Sequence, residues 1–106
     1  CEGESMSVPV QAISYAESQG HEQCLYMIGW SKEKLYTRLT MAQLEELLFP
    51  QGFLRIHKQY LVNMTYLQSL QSTGAVLTTG KSLKASARNY RENQKKFVNW
   101  KAQQLW

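Results

Sequence analysis

The chain has 106 residues, of which 43% are hydrophobic and 19% are charged, and its formal net charge is +4. This length fits one domain with a single modest core. No apolar run approaches the roughly 18–20 residues that a membrane-spanning helix needs, so we expect no membrane span. Glu2 and Glu4 stand where a signal peptide would carry basic residues, which argues against a secretion signal.

The chain begins at Cys1 rather than at a methionine. We interpret it as a piece cut from a longer protein or as a processed product. A lipid-attached mature protein is an alternative that no other feature of the sequence supports. Residues 1–7 are predicted to be a tail or linker remnant, and residues 8–106 are predicted to form the folded domain.

The first third of the chain predicts short strands. Residues 8–17 alternate imperfectly between apolar and polar, which indicates one or two strands with a bulge or register change. Residues 18–22 have the composition of a turn, in which Gly20 can take a positive φ. Residues 24–30 and 35–39 are β-rich and flank a polar turn, so they predict a hairpin.

A short amphipathic helix is predicted next. Thr40 and Gln43 have the spacing of a capping box, in which the two side chains satisfy backbone N–H groups at a helix start. Pro50 and Gly52 are expected to end the helix. Its apolar residues, which recur at helical spacing and are expected to be buried, are Met41, Leu44, Leu47 and Leu48.

The second half predicts more strands and a terminal helix. The strands are expected at residues 53–57, 60–62, 66–70 and 74–79. A tight turn around Gly80 joins the last of them to residues 82–86. The chain becomes helical from Arg88, and the expected buried stripe consists of Tyr90, Phe97, Trp100 and Leu105. The predicted fold class is therefore mainly β, with one short helix in mid-chain and one at the C-terminus.

Charge is distributed unevenly along the chain. Residues 1–52 contain three basic and seven acidic residues, whereas residues 53–106 contain nine basic residues and a single acid, Glu92. This asymmetry favours a polyanionic partner, because each Lys or Arg set against a phosphate releases a condensed counterion. Charge alone is equally compatible with a solvated basic face.

Residues suited to catalysis or metal binding are sparse. The chain has two cysteines, Cys1 and Cys24, and two histidines, His21 and His57, and they do not have the spacing of a zinc site. No nucleophile motif appears and acids are nearly absent from the basic half, so we expect no enzyme, no cofactor and no metal. Two cysteines make no disulfide framework, so the default compartment is the reducing cytoplasm.

The stretch 53–63 reads FLRIHKQYLVN. It resembles the signature of the LytTR DNA-binding domain family, which runs as an apolar pair, Arg-Ile-His, two variable residues, an aromatic or apolar residue, and Leu-Val-Asn. Upstream, YAES at 15–18 and the capped helix agree with the family pattern. Downstream, SARNY at 86–90 resembles the family's Ser-x-Arg segment. The resemblance spans residues 8–98, nearly the whole chain.

This resemblance implies a fold of three small antiparallel β-sheets stacked along one axis, with two short helices. It implies sequence-specific binding of double-stranded DNA by loop side chains that enter successive major grooves, in bacterial transcription regulation. Family members commonly bend DNA, bind direct repeats as dimers and carry a receiver domain that a sensor kinase phosphorylates. We therefore expect double-stranded DNA, a receiver domain in the full-length chain and a homodimer on DNA as partners of a cytoplasmic response regulator.

The resemblance also assigns residues to the DNA contact. Arg88 matches the family's groove-reading arginine, and a guanidinium can donate two parallel bonds to guanine O6 and N7. Lys58 stands where the family often carries a base-contacting Asn or Arg, so it is expected to contact a base or a phosphate. His21 lies near the first DNA-contacting loop, where a solvated turn histidine is the alternative. Gln19 and Gln23 could substitute for it, since their amides suit adenine.

The remaining basic surround is expected to set affinity through phosphates. Contacts from some of Lys81, Lys84, Asn89, Arg91 and Lys95 are predicted. The alternative for Arg88 is a solvent-exposed arginine or an ion pair with Glu92. Lys95, Lys96 and Lys101 could equally form the solvated face of the terminal helix, and this is the interpretation favoured for Lys101.

Two residues of the family signature receive structural roles. His57 and Asn63 are expected to bond to backbone groups and fix loops. Arg55 is placed either on the surface near the DNA or beside Glu17, and the sequence does not decide between the two.

One rival function remains open, an RNA-binding or protein-interaction β module without duplex specificity. Stacking of single-stranded bases would need exposed aromatic side chains among basic residues. Tyr60, Tyr66 and Tyr90 have suitable neighbours, but burial in the core is the favoured interpretation for all three.

Overall fold

A computed structural model describes residues 9–104, so the predicted tail at residues 1–7 and Leu105 of the predicted stripe lie outside the described part. The strands are β1 (Ile13–Gln19), β2 (Glu22–Met27), β3 (Lys34–Thr37), β4 (Phe53–His57), β5 (Tyr60–Asn63), β6 (Leu67–Leu70), β7 (Gly74–Leu77) and β8 (Ser82–Lys84). The helices are α1 (Met41–Leu48) and α2 (Tyr90–Gln103). Single 3-10 turns occur at Val10–Ala12, Phe49–Gln51, Met64–Tyr66 and Ala87–Asn89.

The strands form two antiparallel sheets. The larger sheet has the order β3-β2-β1-β5-β4, and the smaller has the order β6-β7-β8. Strand β1 pairs with β2 on one side and with β5 on the other, so the first three strands and the β4–β5 hairpin form one continuous sheet. The predicted fold class, mainly antiparallel β with two helices, is confirmed. The described part of the chain contains two sheets, however, and not the three that the resemblance implied.

The predicted start of the first strand was too early. Residues from Val10 to Ala12 form a 3-10 turn, closed by the Ala12 N–H donating to the Pro9 carbonyl at 2.9 Å. Strand β1 therefore starts at Ile13, and its pairing with β2 shifts register between Ile13 and Tyr15, which confirms the predicted irregularity. At the other end of β1, Gly20 has φ of 64° and allows the tight reversal into β2.

Helix α1 begins with the predicted capping box. The Gln43 N–H donates to Thr40 Oγ1 at 3.1 Å, and the Thr40 N–H donates to Gln43 Oε1 at 2.9 Å. Met41, Leu44 and Leu48 are buried, but Leu47 is 61% exposed, so the prediction for Leu47 was wrong. An eight-residue helix lying on one sheet face buries a single i, i+3, i+7 line, and Leu47 lies beside that line.

The larger sheet is the middle layer of the molecule. Helix α1 packs on one face, where the core residues are Ile13, Ala16, Leu25, Met27, Met41, Leu44, Leu48, Phe53 and Leu61. The smaller sheet and α2 pack on the other face, around Tyr15, Leu54, Ile56, Val62, Met64, Leu67, Leu70, Ala75, Leu77, Leu83 and Phe97. Since successive residues of a strand point to opposite faces, β4 and β5 contribute to both cores.

Helix α2 lies against strand β4. Phe97 is buried in the core shared with the smaller sheet. Asn93 is also buried, and its Nδ2 donates to the Arg55 carbonyl at 3.1 Å. Near the other end of the helix, a Cβ on Gly52 would lie 2.8 Å from Trp100 Nε1. These contacts fix the helix against the strand that carries the family signature.

Candidate nucleic-acid interface

Two exposed turns lie at the same end of the larger sheet. The β1–β2 turn contains Gly20 and His21, and the β4–β5 turn contains Lys58 and Gln59. Because β1 runs antiparallel to both β2 and β5, these turns are neighbours. The Ser18 N–H donates to the Gln59 carbonyl at 3.0 Å, which ties one hairpin to the other. The His21 and Lys58 side chains are both exposed.

The segment that carries Arg88 is attached to the outer edge of the same sheet. The Ser86 N–H donates to the Ile56 carbonyl at 2.7 Å, so the 3-10 turn that follows lies beside the end of β4. Arg88 and Asn89 are exposed. Together with Lys58 they line a groove of about 520 Å³. The structure thus brings three of the predicted DNA-contacting residues together.

Gln23 does not lie on this surface. It is 5% exposed, because it alternates with Leu25 and Met27 and so faces the α1 side of the sheet. Its Oε1 is buried without a hydrogen-bond partner. An amide in this position cannot substitute for His21 at a base edge without leaving the core. Gln19 is exposed, and its amide lies within hydrogen-bond distance of Glu17 and Tyr26.

The other predicted phosphate contacts are exposed but occupy different places. Lys84 ends β8, two residues before the segment attached to β4, and Arg91 lies in the first turn of α2. Lys81 lies in the β7–β8 turn, at the opposite end of the smaller sheet from Lys84. Lys101 has its Nζ 5.1 Å from the Phe97 ring centre, in keeping with the solvated helix face favoured for it.

His57 and Asn63 have the structural roles predicted for them. His57 Nδ1 accepts from the Gln59 N–H at 3.1 Å within the β4–β5 turn. The Asn63 side chain donates to the Ile13 carbonyl at 2.9 Å and accepts from the Thr65 N–H at 3.0 Å. Asn63 therefore joins the end of β5 to the start of β1, and both predictions are confirmed.

The partner of Arg55 is Glu45 of α1, and not Glu17 as the sequence allowed. Arg55 Nη1 lies 3.3 Å from Glu45 Oε1. Its Nη2 donates to the Lys58 carbonyl at 2.8 Å and its Nε to the His57 carbonyl at 3.4 Å. Glu17 instead accepts from the Tyr26 hydroxyl at 2.9 Å. Arg55 thus lies at the base of the Lys58 turn.

Three tyrosines pack beside this end of the sheet. The Tyr15 and Tyr26 rings stack with their centres 4.4 Å apart, and Tyr60 meets Tyr15 edge-on at 6.2 Å. Burial, and then the nearby Glu17 carboxylate, raises the pKa of Tyr15 to about 12. Burial also raises the pKa of Tyr26 and of Tyr60. All three remain neutral near pH 7. Tyr60 is partly buried and packs against the core rather than lying within it.

One basic residue at this end was not singled out from the sequence. Thr37 pairs with Gln23 at the end of β3, so the exposed Arg38 that follows lies beside the β1–β2 turn. The sequence could have identified Arg38, because the predicted hairpin of β2 and β3 already implied that β3 ends beside the β1–β2 turn.

Two further findings concern the part of the chain from residue 9 to residue 104. No group of three or more His, Cys, Asp or Glu side chains there could hold a metal ion. No helix in that part is both long and apolar enough to span a membrane.

Exposed basic and polar side chains thus lie together on turns at one end of an antiparallel sheet. The family model of the LytTr DNA-binding domain matches residues 3–98. The chain therefore belongs to the LytTr DNA-binding domain family.

A solved structure has the same fold. The LytTr DNA-binding domain of a Bacillus cereus protein described as a methyl-accepting/DNA response regulator aligns with a TM-score of 0.71. The two chains are 17% identical, and the alignment covers 92% of this chain and 91% of that chain. Curated protein sequences gave no significant match.

Proposed function

We propose that this domain binds double-stranded DNA in a sequence-specific manner, by inserting side chains of its turns into the major groove. The observation that carries this proposal is the groove at the end of the sheet, where Lys58, Arg88 and Asn89 converge. Arg88 offers a planar fork that can bond guanine O6 and N7 together, whereas Lys58 offers a point charge. We expect Arg88 to read a base and Lys58 to contact a base or a phosphate.

The order of the turns supports an extended contact. The β1–β2 turn with His21 lies on one side of the β4–β5 turn, and the Arg88 segment lies on the other, since β4 is the edge strand. The three contact points therefore lie in a row across the end of the domain. His21 and Arg88 are the proposed outer contacts.

Exposed residues around this row are the proposed phosphate contacts. They are Arg38, Lys84 and Arg91. Such contacts fix register and affinity without reading sequence. Gln23 is left out of the proposed interface because its side chain is buried.

The regulatory setting is part of the proposal. We infer that the domain serves bacterial transcription regulation in the cytoplasm, as the output domain of a response regulator with a receiver domain in the full-length chain. The fold shared with a domain of the Bacillus cereus response regulator supports this inference. Binding of direct repeats by two copies is proposed from the family resemblance alone.

The proposal is tested with Arg88→Ala. A binding site is selected from a random pool of duplexes, and dissociation constants are measured by fluorescence anisotropy on the selected and on random duplexes. Loss of a bidentate base contact should cost about 1–3 kcal/mol on the selected site and relax specificity at one base pair. Lys32→Ala is the matched control, since Lys32 is exposed between β2 and β3, at the opposite end of the sheet.

The other outcomes are equally informative. An equal loss on selected and random duplexes would make Arg88 a phosphate contact. Wild-type binding that is equal on every duplex, or stronger on single strands or RNA, would leave the basic surface but contradict the sequence-specific proposal.

A further inference from the structure

The Glu45–Arg55 pair stands out in so basic a protein. Among residues 9–104 it is the single ion pair with a nitrogen–oxygen distance within 4 Å. It joins helix α1 to strand β4 directly beneath the Lys58 turn, and both residues line the groove that also contains Arg88. An isolated pair of this kind contributes little to stability when it is partly exposed, so its position calls for another explanation.

The Arg55 guanidinium holds the backbone of the Lys58 turn. Three of its nitrogens are directed to Glu45 Oε1, the Lys58 carbonyl and the His57 carbonyl, at 3.3, 2.8 and 3.4 Å. A planar guanidinium can serve three acceptors in fixed directions, which an ammonium group cannot reproduce. The carbonyls of His57 and Lys58 lie on either side of the Lys58 Cα. Because both are held, the direction in which the Lys58 side chain leaves the turn is fixed as well.

The Arg88 segment is held by the same stretch of β4. The Arg55 carbonyl accepts from Asn93 Nδ2 of α2 at 3.1 Å, and the next carbonyl, that of Ile56, accepts from the Ser86 N–H at 2.7 Å. The side chain of Arg55 thus positions the Lys58 turn, while its main chain holds the helix that follows Arg88. The two candidate contacts are thus held by neighbouring residues of β4, Arg55 and Ile56.

We propose that Arg55, oriented by Glu45, is a positioning residue that sets Lys58 for contact with a base opposite Arg88. Its charge is neutralised by Glu45 and its side chain is 27% exposed, so it contributes to discrimination between sequences rather than to general attraction for phosphates. This inference rests on the proposed function above, because it requires Lys58 to contact a base of the DNA rather than a phosphate.

The first test compares Arg55→Lys, Arg55→Gln and Glu45→Gln on selected and random duplexes. Each variant should reduce the ratio of the two affinities by about tenfold, while the salt slope on random DNA stays within half a unit of wild type. Arg55→Lys should lose as much discrimination as Arg55→Gln, because lysine retains the positive charge but cannot serve three acceptors in fixed directions. If instead Arg55→Gln lowers the slope by about one unit and Arg55→Lys restores it, then Arg55 contacts a phosphate and the proposal is overturned.

Glu46→Gln is the matched control for Glu45→Gln. Both variants remove one negative charge from α1, and simple electrostatics predicts that both bind all DNA more tightly. The positioning role predicts that Glu45→Gln alone loses discrimination. Equal behaviour of the two variants would contradict it.

A double-mutant cycle with Lys58→Ala identifies the route of the effect. If Arg55 acts through Lys58, then Arg55→Lys should change discrimination less than twofold in the Lys58→Ala background. An undiminished tenfold effect in that background would overturn the proposal. Melting temperatures establish that each variant is folded, and if Arg55→Lys is not, the same cycle with Glu45→Gln decides the question.

Failure of the proposed function looks different. In that case wild-type protein and Lys58→Ala would already bind selected and random duplexes equally, before any change at Arg55.

Discussion

The basic side chains at the end of the sheet differ in how they are held. Arg55 has three of its nitrogens directed to two carbonyls and Glu45. Arg88 and Lys58 are exposed, but the Ser86–Ile56 bond anchors the segment before Arg88 and the Arg55 side chain holds the Lys58 carbonyl. Fixing the backbone reduces the conformational entropy that is lost when a side chain meets its target. Lys84 is also exposed, at the end of the short strand β8, and it is the proposed contact with the uniform phosphate backbone.

Lys84→Ala should therefore weaken binding to all duplexes alike. Loss of one phosphate contact lowers the slope of log K against log salt by about one unit and leaves the ratio of selected to random affinity unchanged. Salt titrations by anisotropy on both duplexes measure the two quantities. Lys101→Gln, a charge removed near the far end of α2, serves as the comparison. A slope that does not change in Lys84→Ala would exclude the phosphate contact.

At the scale of elements, local signals predicted most of the fold. The capping box at Thr40 and the left-handed Gly20 lie within a few residues of what they determine, and strand β4 was predicted with its observed bounds. The 3-10 turn at Val10–Ala12 was missed because its residues alternate as a strand would. The exposure of Leu47 depends on which stripe of α1 meets the sheet, and that is a tertiary property.

The candidate site was predicted only in part, because some of its features also depend on tertiary packing. Motif resemblance identified Lys58 and Arg88, which the fold brings into one groove. The burial of Gln23 and the choice of Glu45 as partner of Arg55 depend on the side of the sheet on which α1 packs. The spacing and charge of these residues in the sequence do not indicate on which side of the sheet α1 packs.

The capping box offers a test at the level of an element. Thr40→Ala leaves the Gln43 N–H at the start of α1 without its acceptor, and should lower the free energy of unfolding by about 1 kcal/mol. Thr40→Ser retains the hydroxyl and should recover most of the loss. Urea denaturation followed by circular dichroism measures both variants. Equal stabilities of the alanine and serine variants would show that the cap does not stabilise the fold.

On the scale of the whole molecule, the tyrosine cluster links stability to alkaline pH. The pKa of Tyr15 is raised from 10 to about 12 in the native state, so the native protein holds this proton more tightly than the unfolded chain. The stabilisation that this proton provides is fully present below pH 10, the pKa in the unfolded chain. It is lost as the pH rises through about 12, the pKa in the native state.

The free energy of unfolding should accordingly fall by about 1–3 kcal/mol between pH 10 and pH 12 from Tyr15 alone. Urea titrations at several pH values in this range measure the loss. Lysines titrate in the same range, so the informative quantity is the difference from Tyr15→Phe, which should lose less stability over the same interval. Parallel pH profiles for the two proteins would contradict the raised pKa.

The bond from Ser18 to Gln59 also determines the contour of the end of the domain that we propose to bind DNA. It sets those two residues level, and the β1–β2 tip continues two residues farther, roughly 7 Å at about 3.3 Å per residue. The end of the domain is therefore a step rather than a plateau. The projecting β1–β2 turn carries His21, and the recessed β4–β5 turn carries Lys58, which has one of the longest side chains available. In the proposed complex, the length of the Lys58 side chain would make up this difference in height, and we expect that shortening Lys58 would leave a gap that only bending of the duplex could close.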